Sequence, residues 1–256
     1  MEHTMDHLDT DRLATALVEQ TDAFVRAVAD ADWDAHLPTC PEWRLRVLVG
    51  HIGQEHRWIT SIVWNRQADG IPDPHDATPP ADWQQWLRSG AEDLVGAVRA
   101  TGPDTPVRTF DEPRPAKFWL RRATHDTTVH RVDAALHAGV PYDIAPDLAA
   151  DAITELLEFL ALPVAEALRP AVTKLRGDGE TMRITTTDAD ADGPAWLVIR
   201  TPDGVRWQPG RGPADVELTG SAQDLLLVLT RRLEPTRVAV HGESALLAHW
   251  LEHASL

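Results

Sequence analysis

The chain has 256 residues, 43% hydrophobic and 25% charged, enough for one large domain or two ordinary ones with a real core. With 24 basic against 40 acidic residues the net charge is −16, which argues against nucleic acid and anionic membrane surfaces as partners. No apolar run reaches the roughly 18 residues of a membrane span, the first dozen residues lack the apolar stretch of a secretory leader, and the single Cys40 excludes an internal disulfide framework, so a cytoplasmic protein is expected.

Four helices are predicted in the first half. Leu13, Leu17, Phe24 and Val28 recur at helical spacing between about Asp9 and Ala31. A turn broken by Pro38 and Pro41 leads to a second helix, from Trp43 to about Trp64, with Leu48, Ile52, Ile59 and Ile62 on one stripe. Trp83, Trp86, Leu87, Leu94 and Val98 mark a third. A proline-rich stretch then opens a fourth, from about Ala116 to Ala138, closed by Gly139 and Pro141. Four amphipathic helices of this length suggest a bundle.

Beyond about residue 145 the pattern changes. A helix near Pro146–Leu162 precedes short alternating runs at Met182–Thr187, Ala195–Arg200, Val205–Gln208 and Val216–Thr219, with Asp203-Gly204 as a hairpin signal. A helix at Ser221–Leu233, a strand at Thr236–Val240 and a final helix at Ser244–His253 follow. The expectation is an α+β protein of two domains, a helical bundle over residues 1–145 and a smaller α+β domain over 146–256.

The fourth helix carries the chemistry. Trp119, Ala123, Asp126, Asp133, Ala134 and His137 all lie within about 60° of His130 at 100° per residue. Asp126 and His130 are an i, i+4 pair able to converge on one ion, while His125 points elsewhere. On the second helix His51 falls on the apolar stripe. A divalent metal held by His51, Asp126 and His130 is one reading, and three N and O ligands with an open fourth position are the pattern of catalytic zinc. The other reading turns Phe118, Val129, Val132 and Leu136 to the core. It leaves Asp126 as an ordinary ion-pair partner of Arg122 and His51 as a core histidine with one hydrogen bond. Three further features are set aside. His249-Trp250-Leu251-Glu252-His253 matches H-x-x-E-H of inverted zinc peptidases but reads as frayed terminal residues, and Cys40 reads as a packing residue. The tryptophans are mostly core residues, with Trp43 and Trp119 able to line a pocket near the metal.

These segments resemble a known family. Cys40-Pro41-Glu42-Trp43 through Leu48-Val49-Gly50-His51 is similar to the Trp…Leu-Val-x-His signature of mycothiol-dependent maleylpyruvate isomerase-like proteins. The run from His125-Asp126 through His130-Arg131-Val132-Asp133-Ala134 looks like their His-Glu-x-x-x-His-Arg-x-Asp-Ala signature. Leu148–Asp151, Asp224–Leu227 with Arg231-Arg232, and Val238–Gly242 match the C-terminal half, so the resemblance spans nearly the whole chain. It implies a DinB-like metal-binding four-helix bundle fused to a C-terminal α+β domain, with zinc on His51, Asp126 and His130. Asp126 stands where Glu is usual, so the ion is expected to shift toward this helix or bind more weakly. Arg232 is implied as the catalytic arginine facing substrate. The implied partners are mycothiol and a small electrophile bearing a carboxylate or carbonyl. The implied activity is that of an isomerase, in which a thiolate adds to a cis double bond, allows rotation and leaves, or of a thiol S-transferase. A metal-dependent hydrolase and a non-catalytic metal- or ligand-binding protein are the alternatives.

Overall fold

The structure is a computed structural model and describes residues 7–67, 70–188 and 193–254; the N-terminal stretch on which the absence of a leader was read lies, through residue 6, outside them. Two compact units are present, Leu8–Tyr142 and the chain from Asp143 onward, which His7 joins by a 2.8 Å contact with the Glu158 carboxylate.

The first unit contains α1 (Thr10–Val28), α2 (Leu45–Asn65), α3 (Trp83–Thr101) and α4 (Lys117–Ala138), plus a two-residue pairing of β1 (Pro106–Val107) with β2 (Arg114–Pro115) inside the proline-rich stretch. Asp9 caps α1 by accepting the Arg12 amide at 2.7 Å, and Gly139 ends α4 in the left-handed conformation that glycine adopts without strain. α1 packs on α3 and α4, and α2 on the same two helices. Gly53 on α2 permits part of this, since a Cβ there would lie 1.9 Å from the Trp86 ring of α3.

The bundle has two apolar clusters rather than one. Leu13, Leu17, Ile59, Ile62, Leu94, Val98, Trp119 and Leu120 form the first. Phe24, Val28, Leu45, Leu48, Ile52, Leu87 and Ala134 form the second. Along α1, α2 and α4 the segments between the clusters supply buried polar side chains instead, Gln20 and Thr21, then His56, then Thr124, Thr127, Thr128 and Arg131. Buried polar groups are costly unless hydrogen-bonded. Here Thr124 and Thr128 donate to the carbonyls four residues back, each at 2.7 Å, and Arg131 Nε donates to Gln20 Oε1 at 2.9 Å. α4 is therefore buried on most of its circumference, and no single apolar stripe on it faces the core.

The second unit contains α5 (Pro146–Leu160), α6 (Ala165–Leu168), a 3₁₀ turn at Pro170–Leu175, and strands β3 (Thr181–Thr186), β4 (Ala195–Thr201), β5 (Gly204–Pro209) and β6 (Val216–Gly220). α7 (Ala222–Leu229), β7 (Ala239–Gly242) and α8 (Ser244–His253) complete it. The sheet order is β5-β4-β3-β6-β7, with β3 and β6 parallel and the other pairs antiparallel. Met182, Ile184, Val198, Val216 and Leu218 alternate inward at the two-residue period of strands, and α5 and α7 pack against each other over the sheet. Thr201 pairs with Gly204, so Pro202 and Asp203 form the hairpin loop and Gly204, at φ +126°, begins the returning strand.

Two boundaries differ from the sequence reading. The helix expected to run to Leu233 stops at Leu229. Arg231 adopts φ +64°, its amide donates to the Val228 carbonyl at 3.0 Å, and the Arg232 amide donates to the Leu227 carbonyl at 2.7 Å. This is a Schellman cap, normally made with glycine at the position of Arg231, and the absence of that glycine hid it. The strand expected from Thr236 begins at Ala239, because Pro235–Arg237 form a 3₁₀ turn. The expectation that His249–His253 are frayed is also corrected. α8 continues through His253, which is buried and packs edge-on against His249 at 4.6 Å.

Candidate metal centre

The site begins in the turn before α2. The amides of Leu45 and Arg46, in the first turn of α2, donate to the carbonyls of Ala35 and Trp33, each at 3.1 Å, and Leu37 donates to Trp43 at 3.0 Å. These bonds strap the turn to the helix and hold the Trp43 indole over the imidazoles that follow. It stacks on His130 at 5.9 Å and 22° and meets His51 edge-on at 5.2 Å. Trp119 does not join them. It lies fully buried in the first apolar cluster, two helical turns before Asp126, donating to the Arg108 carbonyl at 2.8 Å. Its expected place near the metal is a correction, forced by aromatic packing with Trp58, Phe110 and Phe118.

His51 comes from α2, Asp126 and His130 from α4. Asp126 Oδ2 lies 3.2 Å from His51 Nε2 and 3.5 Å from His130 Nε2, and one ligand atom from each of the three falls within 4.8 Å of the others. Among the described residues this is the group of His, Cys, Asp and Glu side chains able to hold a metal ion. Zinc bonds of about 2.0–2.2 Å put tetrahedral ligand atoms roughly 3.3–3.6 Å apart, so the two spacings from Asp126 to the imidazoles suit one ion as well as they suit hydrogen bonds. The side chains of His51, Asp126 and His130 are 20%, 19% and 12% exposed, which leaves a solvent-facing side.

Asp126 uses both oxygens. Oδ1 accepts from Arg122 Nη2 at 2.7 Å while Oδ2 faces the imidazoles, so the ion pair and the imidazole cluster are one arrangement. Burial alone would raise the Asp126 carboxyl, but His130, His51 and Arg122 outweigh it and hold it well below the usual carboxylate range. A shorter acid than Glu thus still reaches across to α2.

Asp133 is the residue whose role the sequence left unstated. It is fully buried one turn beyond His130, and its Oδ2 accepts the His130 Nδ1–H at 2.8 Å. In the neutral ring that bond leaves the lone pair on Nε2, toward Asp126, as outer-shell carboxylates do for metal-binding imidazoles. The i, i+3 spacing of a carboxylate and a histidine was the available signal. Arg232 belongs to the second unit, half-buried just after α7, where its Nη1 donates to the Thr230 carbonyl at 2.7 Å. Cys40 is half-buried against the second apolar cluster.

Two family models match the chain, the mycothiol maleylpyruvate isomerase N-terminal domain over residues 14–135 and the MDMPI C-terminal domain over residues 147–249. The chain belongs to this family. Its bundle, of the DinB-like type, and its sheet domain also align with two solved structures of the mycothiol-dependent maleylpyruvate isomerase, one of them a histidine-to-alanine mutant. Both give a TM-score of 0.61 over 93% of this chain and 97% of theirs, at 14% identity for the mutant and 15% for the other. At that identity the likeness is one of fold. A comparison with curated proteins gives no match.

Proposed function

We propose that this family member is a zinc-dependent, mycothiol-using enzyme, an isomerase or thiol S-transferase acting on a small electrophile that bears a carboxylate or carbonyl. The observation that carries the reading is the convergence of His51, Asp126 and His130 at ligand spacing in a bundle of this family. A zinc ion held there would supply a Lewis acid that brings the pKa of a thiol, ordinarily about 8.5, below neutral.

The protein's own part is to prepare that place. Asp133 orients His130, Arg122 occupies the second oxygen of Asp126 so that one oxygen is presented, and Trp43 covers one side of the imidazoles against water. Arg232 is proposed to hold the substrate carboxylate through paired N–H groups, a role its fork geometry suits. The charge of −16 disfavours nucleic acid and anionic membrane surfaces as partners.

The test is elemental analysis of purified protein followed by calorimetry with mycothiol. About one zinc per chain, and thiol binding that releases a proton, support the reading. Metal without thiol binding, together with turnover that needs no thiol, would transfer it to a hydrolase.

A further inference from the structure

A second polar contact joins α2 to α4 inside the bundle. His56 lies five residues beyond His51 on α2, and Thr127 one residue beyond Asp126 on α4. His56 Nε2 is 2.9 Å from Thr127 Oγ1, with both side chains fully buried in the polar layer between the apolar clusters. α3 backs the imidazole, since a Cβ on Gly90 would stand only 3.3 Å from the Cβ of His56.

The contact is expensive. Burial, aided by the neighbouring Arg57 charge, outweighs the opposing pull of Asp126 and the Leu87 carbonyl and pushes the His56 pKa down to about 3, so the ring is neutral, and its Nδ1 makes no well-formed hydrogen bond. Apolar side chains of similar shape could fill this volume without that cost. What they could not supply is direction: apolar contacts tolerate sliding, whereas an N···O hydrogen bond fixes a distance and an angle between two helices. Thr127 shares a rigid helical backbone with Asp126, so its tie to α2 limits where the Asp126 carboxylate can sit relative to His51. Metal ligands must be held within about 0.5 Å of their working geometry.

We propose that His56 and Thr127 are positioning residues for the metal centre, setting the separation of α2 and α4 at which His51 Nε2 meets Asp126 Oδ2. The inference rests on the metal reading above. Its test is titration of the apo protein with Co²⁺, read by visible absorption, together with thermal melting, for wild type, Thr127→Val, Thr127→Ser and His56→Gln. Thr127→Val keeps the shape and removes the hydroxyl. It is expected to bind cobalt about tenfold more weakly or worse, with an altered ligand-field spectrum. Thr127→Ser and His56→Gln, which keep a bonding group, should stay within about threefold of wild type. Thr127→Val that melts lower yet binds cobalt with wild-type affinity and spectrum would show a merely structural pair and overturn the proposal. So would a tenfold loss in His56→Gln or Thr127→Ser, since the bond itself would then not be what matters. Should Thr127→Val fail to fold, His56→Phe, which fills the site and cannot bond Thr127, takes its place with the same expected loss. Wild type that takes up no cobalt removes the metal reading first, and this inference with it.

Discussion

Arg122 and Asp126 form an i, i+4 ion pair at 2.7 Å, and the same carboxylate turns its other oxygen to His51 and His130. Exposed helix pairs of this kind contribute only about 0.3–0.5 kcal/mol. At 16% and 19% exposure this one is better placed to fix the carboxylate than to stabilise the helix.

The three proposed ligands should behave as a set. His51→Ala and His130→Ala are each expected to lose stoichiometric zinc, and Asp126→Asn, which keeps the shape without the charge, to bind it at least about tenfold more weakly. Elemental analysis and competition with a chromophoric chelator measure both. Both alanine variants should remain folded, because two apolar clusters hold the bundle without the site. Full zinc content in any of the three would remove that residue from the ligand set.

Asp133→Asn tests the outer shell. Loss of the charged acceptor should weaken metal binding about 10- to 100-fold. Combined with His130→Ala it should add little further loss, because Asp133 acts through that imidazole. Additive losses in the double mutant would show that Asp133 works by another route.

Acid stability should report His56. Its folded pKa of about 3 lies below the unfolded value of about 6.5, so between these limits the unfolded chain binds the additional proton. The full contribution is present above about pH 6.5 and is lost as pH falls, at up to about 1.4 kcal/mol per unit. Asp126, whose carboxyl is depressed, adds to the loss only below about pH 4. Denaturant midpoints of the apo protein at pH 7 and pH 4.5 should differ clearly in wild type and much less in His56→Gln. Equal pH dependence in both would assign the effect to other groups.

The cap after α7 should be improvable. Arg231 holds φ +64°, a conformation that costs a non-glycine residue about 1–2 kcal/mol, so Arg231→Gly should raise stability by about 0.5–1 kcal/mol after the entropy of glycine in the unfolded chain is counted. Chemical denaturation decides, and a lower midpoint would mean that the arginine side chain contributes more than the backbone strain removes.

Arg232→Ala should lower kcat/KM for a carboxylate-bearing substrate, by about tenfold or more, while zinc content and thiol binding stay as in wild type. Loss of metal or of the folded state in this variant would make the arginine structural and place substrate binding elsewhere.

The amino-acid sequence by itself determined the element types. Helical and alternating periods are local properties, so α1 to α5, β3 to β6 and α8 were all readable, and so was the approach of Asp126 to His130, which lie on one helix. Local signals also misled, at Arg231 because a glycine position was filled by arginine, and at His253 because nearness to a chain end suggested fraying. The tertiary structure alone decided which face of α4 is inside. Its burial on most of its circumference, with a polar segment between two apolar ones, removes the amphipathic contrast that a sequence reading depends on. Tertiary structure also brought His51 on α2 to 3.2 Å from Asp126, tied His56 to Thr127, and sent Trp119 into an apolar cluster while Trp43 covers the imidazoles. The His51–Asp126 and His56–Thr127 contacts join residues 75 and 71 positions apart, through helix packing that no local period encodes.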